Sequence, residues 1–391
     1  MFSRRLKTGY FVLEGLNSFA TVYYFYYFYF FMQTRFGYGN QANLLLAALN
    51  GAIYAVMAWQ GGNFAQRFGY FAALKIGFSI MVVALAIGSQ LHTATGHIVV
   101  MSVTVVGMCF TWPTLEALVS EGETRAGVQR MVGIYNLTWA GTGAVAYFSG
   151  GAMLEKLGPS SMFYVPAAIV VIQLGLTLWL ESQARQEASA RVATPASSAP
   201  DAHPHPAART KVFLRLAWLA NPFAYIAINT IIAVIPGVAK RLELSTMVAG
   251  FCCSLWCFAR VGAFLVLWHW DGWHYRFRWL LVSYVVMIAA FAAILTASNL
   301  ALLVLAQIIF GGVIGLIYYS SLYYSMDLGD TKGEHGGIHE AAIGLGNLAG
   351  PAVAAASLFF LPQYANSGTV AVSGLLLLGL GGLLAIWRKG A

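Results

Sequence analysis

Apolar runs of about twenty residues recur along the whole of this 391-residue chain. A helix needs that length to cross ~30 Å of hydrocarbon, because each residue rises about 1.5 Å. A transmembrane β-barrel would instead alternate polar and apolar residues over roughly 10-residue segments. Charged residues make up only 9% of the chain. A soluble domain carries about 25%, so a soluble enzyme is excluded. Disorder is excluded as well, because 59% of the residues are hydrophobic and 14% aromatic, the opposite of a disordered composition. Twelve spans are expected, at about 10–33, 42–60, 71–90, 97–119, 130–152, 162–181, 213–236, 247–268, 278–297, 299–325, 336–361 and 368–387. The expectation is an all-α membrane protein.

One connection between spans differs from the rest. Residues 182–211 are rich in Ala, Ser and Pro and contain no aromatic residue. Such a stretch cannot build a core and reads as a flexible linker. His203 and His205 within it are read as solvated rather than as metal ligands. The chain therefore divides into an N-terminal six-helix bundle (1–181), the linker (182–211) and a C-terminal six-helix bundle (212–391), with six spans in each bundle.

The net charge of +8 is explained by topology rather than by nucleic acid, since no basic stripe occurs in a soluble segment. With the N-terminus cytoplasmic, seventeen of the 22 Lys and Arg residues fall on the inner side and four on the outer, and Arg260 alone lies within a span. Cytoplasmic loops carry such an excess. Both termini and the linker are expected in the cytoplasm, with the chain in a bacterial inner membrane. The first apolar run continues to Met32, which makes it a spanning helix rather than a cleavable signal. The four cysteines all lie in apolar runs and read as small buried hydrophobes.

Shifting the chain by about 207 residues superposes its halves. Glu123-Thr124-Arg125 falls on Asp330-Thr331-Lys332, Gly143-Ala144 on Gly350-Pro351, and Glu14 on Asn221. Parallel repeats of this kind mark transporters that bind substrate near the midplane between the repeats.

This 6 + 6 layout with a long cytoplasmic linker resembles the major facilitator superfamily over the whole chain. The stretch Gly62-Asn63-Phe64-Ala65-Gln66-Arg67-Phe68-Gly69 is similar to that family's loop motif between spans 2 and 3. Gly62, Arg67 and Gly69 match, and Gln66 stands where the family has an acid. The family's antiporter motif is absent from span 5, while Gly350-Pro351 with Ala354-Ala355 occurs in span 11. Phe258-Ala259-Arg260 in span 8 looks like the corresponding segment of oxalate and monocarboxylate carriers. The resemblance implies two pseudo-symmetric bundles, alternating access, and a cavity lined by spans 1, 4, 7 and 10. It also implies gating charges at the loops, here Arg67, Arg125, Arg130, Asp327 and Lys332.

Ionisable groups inside spans are costly and therefore mark function. Arg260 needs a partner, either an anionic substrate or a structural carboxylate such as Glu340 or Glu116. Glu14 begins a polar stripe with Asn17, Ser18 and Thr21, and Asn221, Tyr225 and Asn229 form another in span 7. These stripes read as cavity lining or as interhelical glue. Glu14, Glu116, His339 and Glu340 are the proton-coupling candidates; Glu116 also reads as a gate or loop ion pair with Arg125, Arg130 or Arg67. His339 and Glu340 form a neighbouring pair able to relay protons or to act in gating near the cytoplasmic mouth. The tyrosines of spans 1 and 10 read either as an interface belt or as substrate contacts, among them Tyr24, Tyr319 and Tyr323.

The substrate-binding set expected is thus Arg260, Asn17, Thr21, Tyr24, Asn221, Tyr225, Asn229, Tyr319 and Tyr323. No Walker run, nucleophile elbow or zinc motif occurs, so the chain is not expected to be an enzyme or to hold a cofactor or metal. The function expected is secondary transport of a small organic solute, an organic anion moved with protons, by a monomer. The alternative is export of amphipathic or aromatic compounds, and a non-transporting receptor or channel is more distant.

Overall fold

The computed structural model describes residues 3–123, 125–191, 207–327 and 333–390. Its helices are α1 (Arg4–Phe36), α2 (Asn40–Phe68), α3 (Tyr70–Gly88), α4 (Ala94–Ser120), α5 (Arg125–Leu157) and α6 (Ser161–Arg191) in the first half. The second half has α7 (Ala207–Arg241), α8 (Thr246–Cys253), α9 (Leu255–His269), α10 (Phe277–Thr296), α11 (Leu300–Asp327), α12 (Gly333–Phe360) and α13 (Ser367–Gly390). Among the described residues there is no strand. Each of the twelve expected spans lies on a helix, and α8 and α9 together make the eighth.

Local chemistry sets the ends. The Ser3 hydroxyl accepts the Leu6 amide at 3.3 Å and caps α1, which stops at Gly37 in a left-handed conformation (φ 71°). Ser245 caps α8 in the same way through the Val248 amide. The one-residue break at Ser254 was not expected from the unbroken apolar run. There the Ser254 hydroxyl donates to the Phe251 carbonyl at 3.0 Å, a back-bond that loosens a helical turn. α6 also continues to Arg191, and α7 begins at Ala207, so both helices reach into the stretch read as linker. Ala, Gln, Glu and Arg in 182–191 are good helix formers, and their polarity hides that from an apolar-run reading.

Ten helices among the described residues are long and apolar enough to cross a membrane. α1 and α5 have 33 residues each but carry more polar side chains, several of which turn toward the interior. Large apolar side chains such as Phe360, Val370 and Leu378 are exposed on the outside, as a lipid-facing surface requires. The chain is an all-α membrane protein.

α1–α6 pack among themselves, as do α7–α13. The two bundles meet along α2 with α12 and along α5 with α8 and α9, with α2 and α1 also touching α7. Twelve crossings bring both described ends to one face, here the terminal face. At the opposite, distal face the seam is tight. The Glu155 carboxylate of α5 accepts the Met247 amide in the first turn of α8 at 2.7 Å.

Candidate functional site: the central cavity

A cavity of about 160 Å³ lies between the bundles. Its walls come from α1, α2, α4 and α5 on one side and α7, α9, α11 and α12 on the other. A second cavity, about 590 Å³, lies nearer the terminal face and includes the exposed Arg130 and Asp271. It forms a vestibule between α5 and the ends of α9 and α11.

Arg260 lines the central cavity and is 5% exposed. It makes no ion pair with any described carboxylate, and its Nε is buried without a hydrogen-bond partner. Structural pairing with Glu340 or Glu116 is therefore not what holds it. Two indoles flank it instead. The guanidinium carbon lies 4.5 Å from the Trp139 ring of α5 and 4.8 Å from the Trp256 ring of α9. A cation over an indole gains about 0.5–2 kcal/mol, more when water is excluded. The guanidinium's N–H edge is a planar fork suited to a carboxylate.

Glu340 also lines the cavity. The Tyr54 hydroxyl of α2 donates to its Oε2 at 2.5 Å, across the two bundles. Glu14 is fully buried in α1 with the Tyr135 hydroxyl of α5 beside its carboxylate, which makes no hydrogen bond of ordinary geometry among the described residues. Its electrostatic neighbours are Glu116, Glu340 and Tyr135. Tyr135 of α5 neighbours all three acids and lines the cavity itself. Three carboxylates from α1, α4 and α12 thus lie within electrostatic range of one phenol. Glu116 forms no ion pair with Arg67 or Arg130 in the structure.

The remaining expected residues divide by helix face. Thr21, Tyr225 and Asn229 line the cavity, and Asn229 donates to Asn347 of α12. Asn17 lies deeper in the first bundle, accepting from Thr111 of α4 at 3.3 Å. Asn221 is buried outside the cavity wall. Tyr24 is misplaced by the sequence reading. It packs into the bundle against Phe163 of α6, with ring centroids 5.9 Å apart, while Tyr26 and Phe25 face the cavity. The interface-belt reading of span 1 also fails for most of its tyrosines. Tyr23, Tyr24, Tyr27 and Tyr29 are buried, with Tyr23 bonded to Ser161 at 2.7 Å and Tyr27 donating to the Tyr147 carbonyl. Tyr319 and Tyr323 line the vestibule rather than the central cavity.

Of the gating residues, Arg130 stands in the vestibule wall and Arg67 is exposed at the end of α2, its guanidinium 5.5 Å from the Phe68 ring. The side chains of Arg125, Asp327 and His339, and all of Lys332, lie outside the described residues. Sequence reasoning missed Tyr54, Tyr135 and Trp139, all of which line the cavity, as does Tyr318, one of the span 10 tyrosines read as belt or substrate contact. Tyr135, Trp139 and Gly143 share an i, i+4, i+8 spacing, the one signal that could have found them. No metal-binding group of His, Cys, Asp or Glu occurs among the described residues.

Two bundles of six spans closing on a shared cavity are the architecture of a membrane transporter built from parallel repeats. The Major Facilitator Superfamily profile matches residues 10–351, and the chain belongs to that family. No curated protein matches it by sequence. Among solved structures it is similar to the nucleoside transporter NupG, with 14% identity, coverage of 98% of this chain and 99% of that one, and a TM-score of 0.69. A mutant of the peptide transporter POT gives 14% identity, coverage of 98% and 94%, and a TM-score of 0.70. The human organic anion transporter MFSD10 gives 12%, coverage of 97% and 99%, and 0.66. At these identities the likeness is one of fold.

Proposed function

We propose that this chain is a secondary transporter, not an enzyme, that carries a small organic anion through the central cavity with a proton as the coupling ion. The observation that carries the reading is Arg260, a buried cation in the cavity wall with no described carboxylate partner. A charge at that depth calls for a counter-charge, and a carboxylate solute supplies one. The aromatic lining suits a solute with a flat apolar body. Three neighbouring acids disfavour a second negative charge on it.

Glu14 is the residue we assign to the proton. It is fully buried in the first bundle, with no described cation beside it and the Tyr135 hydroxyl between it and the cavity wall. A protonated carboxyl is neutral and needs no counter-ion. The membrane is read as a bacterial inner membrane, with the terminal face cytoplasmic and the protein acting as a monomer.

The test is uptake into proteoliposomes across a panel of carboxylates, with and without an acidic exterior. A monocarboxylate should be taken up faster when the outside is acid. Arg260→Ala should lose uptake, and Glu14→Gln should keep solute exchange but lose its response to the pH gradient. Full uptake by Arg260→Ala would end the anion reading. Uptake restricted to neutral or cationic aromatics would favour the second reading, export of amphipathic compounds, which the aromatic wall also suits.

A further inference from the structure

The central cavity and the vestibule lie next to each other, yet one partition separates them. Trp139 lines the central cavity. Its indole N–H donates to Asn136 Oδ1 at 3.0 Å, and Asn136 lines the vestibule. The Trp139 ring meets Tyr318 of α11 at 5.3 Å and Phe264 of α9 at 6.2 Å. Phe264 in turn meets both Tyr318, on the cavity side, and Tyr319, on the vestibule side. The partition is therefore an aromatic wall with Trp139 from one bundle and Phe264 and Tyr318 from the other. Among these contacts, the charged one across the seam is that of Trp139 with Arg260.

We propose that Trp139 is the lid of the central cavity toward the terminal face, and that Arg260 holds it shut through the face of the indole. The guanidinium can do this and still take a solute, because the two interactions use different parts of it. The guanidinium carbon lies over both indole rings, and a carboxylate would use the N–H edge. Binding and closure thus meet on one side chain, and opening requires the α5 indole to leave the α9 cation. The proposal rests on reading the central cavity as the solute site.

Cys257 supplies a test that needs no solute. It lies one turn before Arg260, lines the central cavity and is 1% exposed. With Cys109, Cys252 and Cys253 replaced by Ala, it becomes the single thiol. Its rate of alkylation by N-ethylmaleimide in detergent-solubilised protein then reports access past the lid. Trp139→Ala and Arg260→Gln should each raise that rate by about tenfold or more, the scale of a desolvated cation–π contact. Trp139→Phe should give a smaller rise. As a reference, Asp271→Cys in a Cys257→Ala background places the thiol in the vestibule and should react quickly whether or not Trp139 is replaced. If neither Trp139→Ala nor Arg260→Gln changes the Cys257 rate while the reference is unaltered, Trp139 is not a lid. If only Trp139→Ala raises it, Arg260 does not hold the lid and the proposal is overturned. Should Trp139→Ala fail to give monodisperse protein, Trp139→Phe and Arg260→Gln decide on their own. Uptake that fails for every carboxylate would remove the anion reading without touching these rates, and unaltered rates would leave the anion reading intact.

Discussion

Lys7 is a buried cation with an evident structural duty, in contrast to Arg260. Its ammonium donates to the carbonyls of Val119 at 2.7 Å and Glu121 at 2.8 Å and pairs with Glu123 at 3.3 Å. The end of α4 leaves carbonyls without helical partners, and a cation there also suits the helix dipole. Lys7→Met should lower the thermal midpoint in detergent, by a loss of about 1–3 kcal/mol for buried acceptors left unmade. Glu123→Gln should cost less, since both carbonyl bonds remain; an equal loss would mean that the ion pair, not the carbonyl bonds, carries the effect. The contrast explains what the sequence could say about single residues. Lys7 and Arg260 were both legible as basic residues, but only depth within a span separated them. Tyr24 was misassigned because nine successive aromatics, Tyr23 to Phe31, carry no periodicity from which to choose a face. Trp139 and Tyr135 were missed because an aromatic in an apolar helix looks the same whether it faces lipid, core or cavity.

At the scale of helices, α2 and α12 approach so closely that side chains are excluded from part of the seam. A Cβ added at Gly51 would lie 2.3 Å from the Leu348 amide nitrogen, and one at Gly344 would lie 2.5 Å from the backbone of Ala55. Backbone atoms cannot yield as a side-chain tip can, so the helices themselves would have to part. Small residues permit this kind of approach in membranes, where packing rather than the hydrophobic effect drives association. Gly51→Ala is expected to lower the yield of folded protein or to slow transport sharply. Gly262→Ala, where a Cβ would meet nothing within 4 Å, should be neutral or gain up to about 1 kcal/mol from helix propensity. Thermal midpoints and exchange rates for the two variants give the comparison; equal behaviour would mean that the α2–α12 seam is looser than its geometry implies. The position of every span was legible because hydrocarbon thickness demands an apolar run of about twenty residues, but helix ends such as Phe68 of α2 and Arg191 of α6 run eight to ten residues past the apolar run and were not. Nor was the break at Ser254, since it falls inside an uninterrupted apolar run. The close approach of α2 to α12 was equally hidden, because glycines in a span do not announce which neighbour they admit.

For the whole molecule, alternating access requires that a seam closed in one state open in the other. The distal seam is held by charge as well as by packing. The Glu155 carboxylate of the first bundle sits on the opening turn of α8 in the second, where unpaired amides and the helix dipole favour an anion. The terminal side instead has the vestibule, ending at the wall that contains Trp139. The structure thus has this contact on its distal side and a hollow toward the terminal face, and the proposed transport by alternating access has to break the Glu155–Met247 contact once per cycle. Replacing the four cysteines by Ala and introducing Glu155→Cys with Met247→Cys places one thiol on each side of that contact. A short, reducible bifunctional thiol reagent should then stop solute exchange in proteoliposomes, and reduction should restore it. The same pair left unlinked should still transport, since the carboxylate bond is one contact among many along α5 and α8. If the linked protein exchanges solute as fast as the unlinked one, the bundles do not part at this seam. The rocking motion would then have to be sought along α2 and α12 instead.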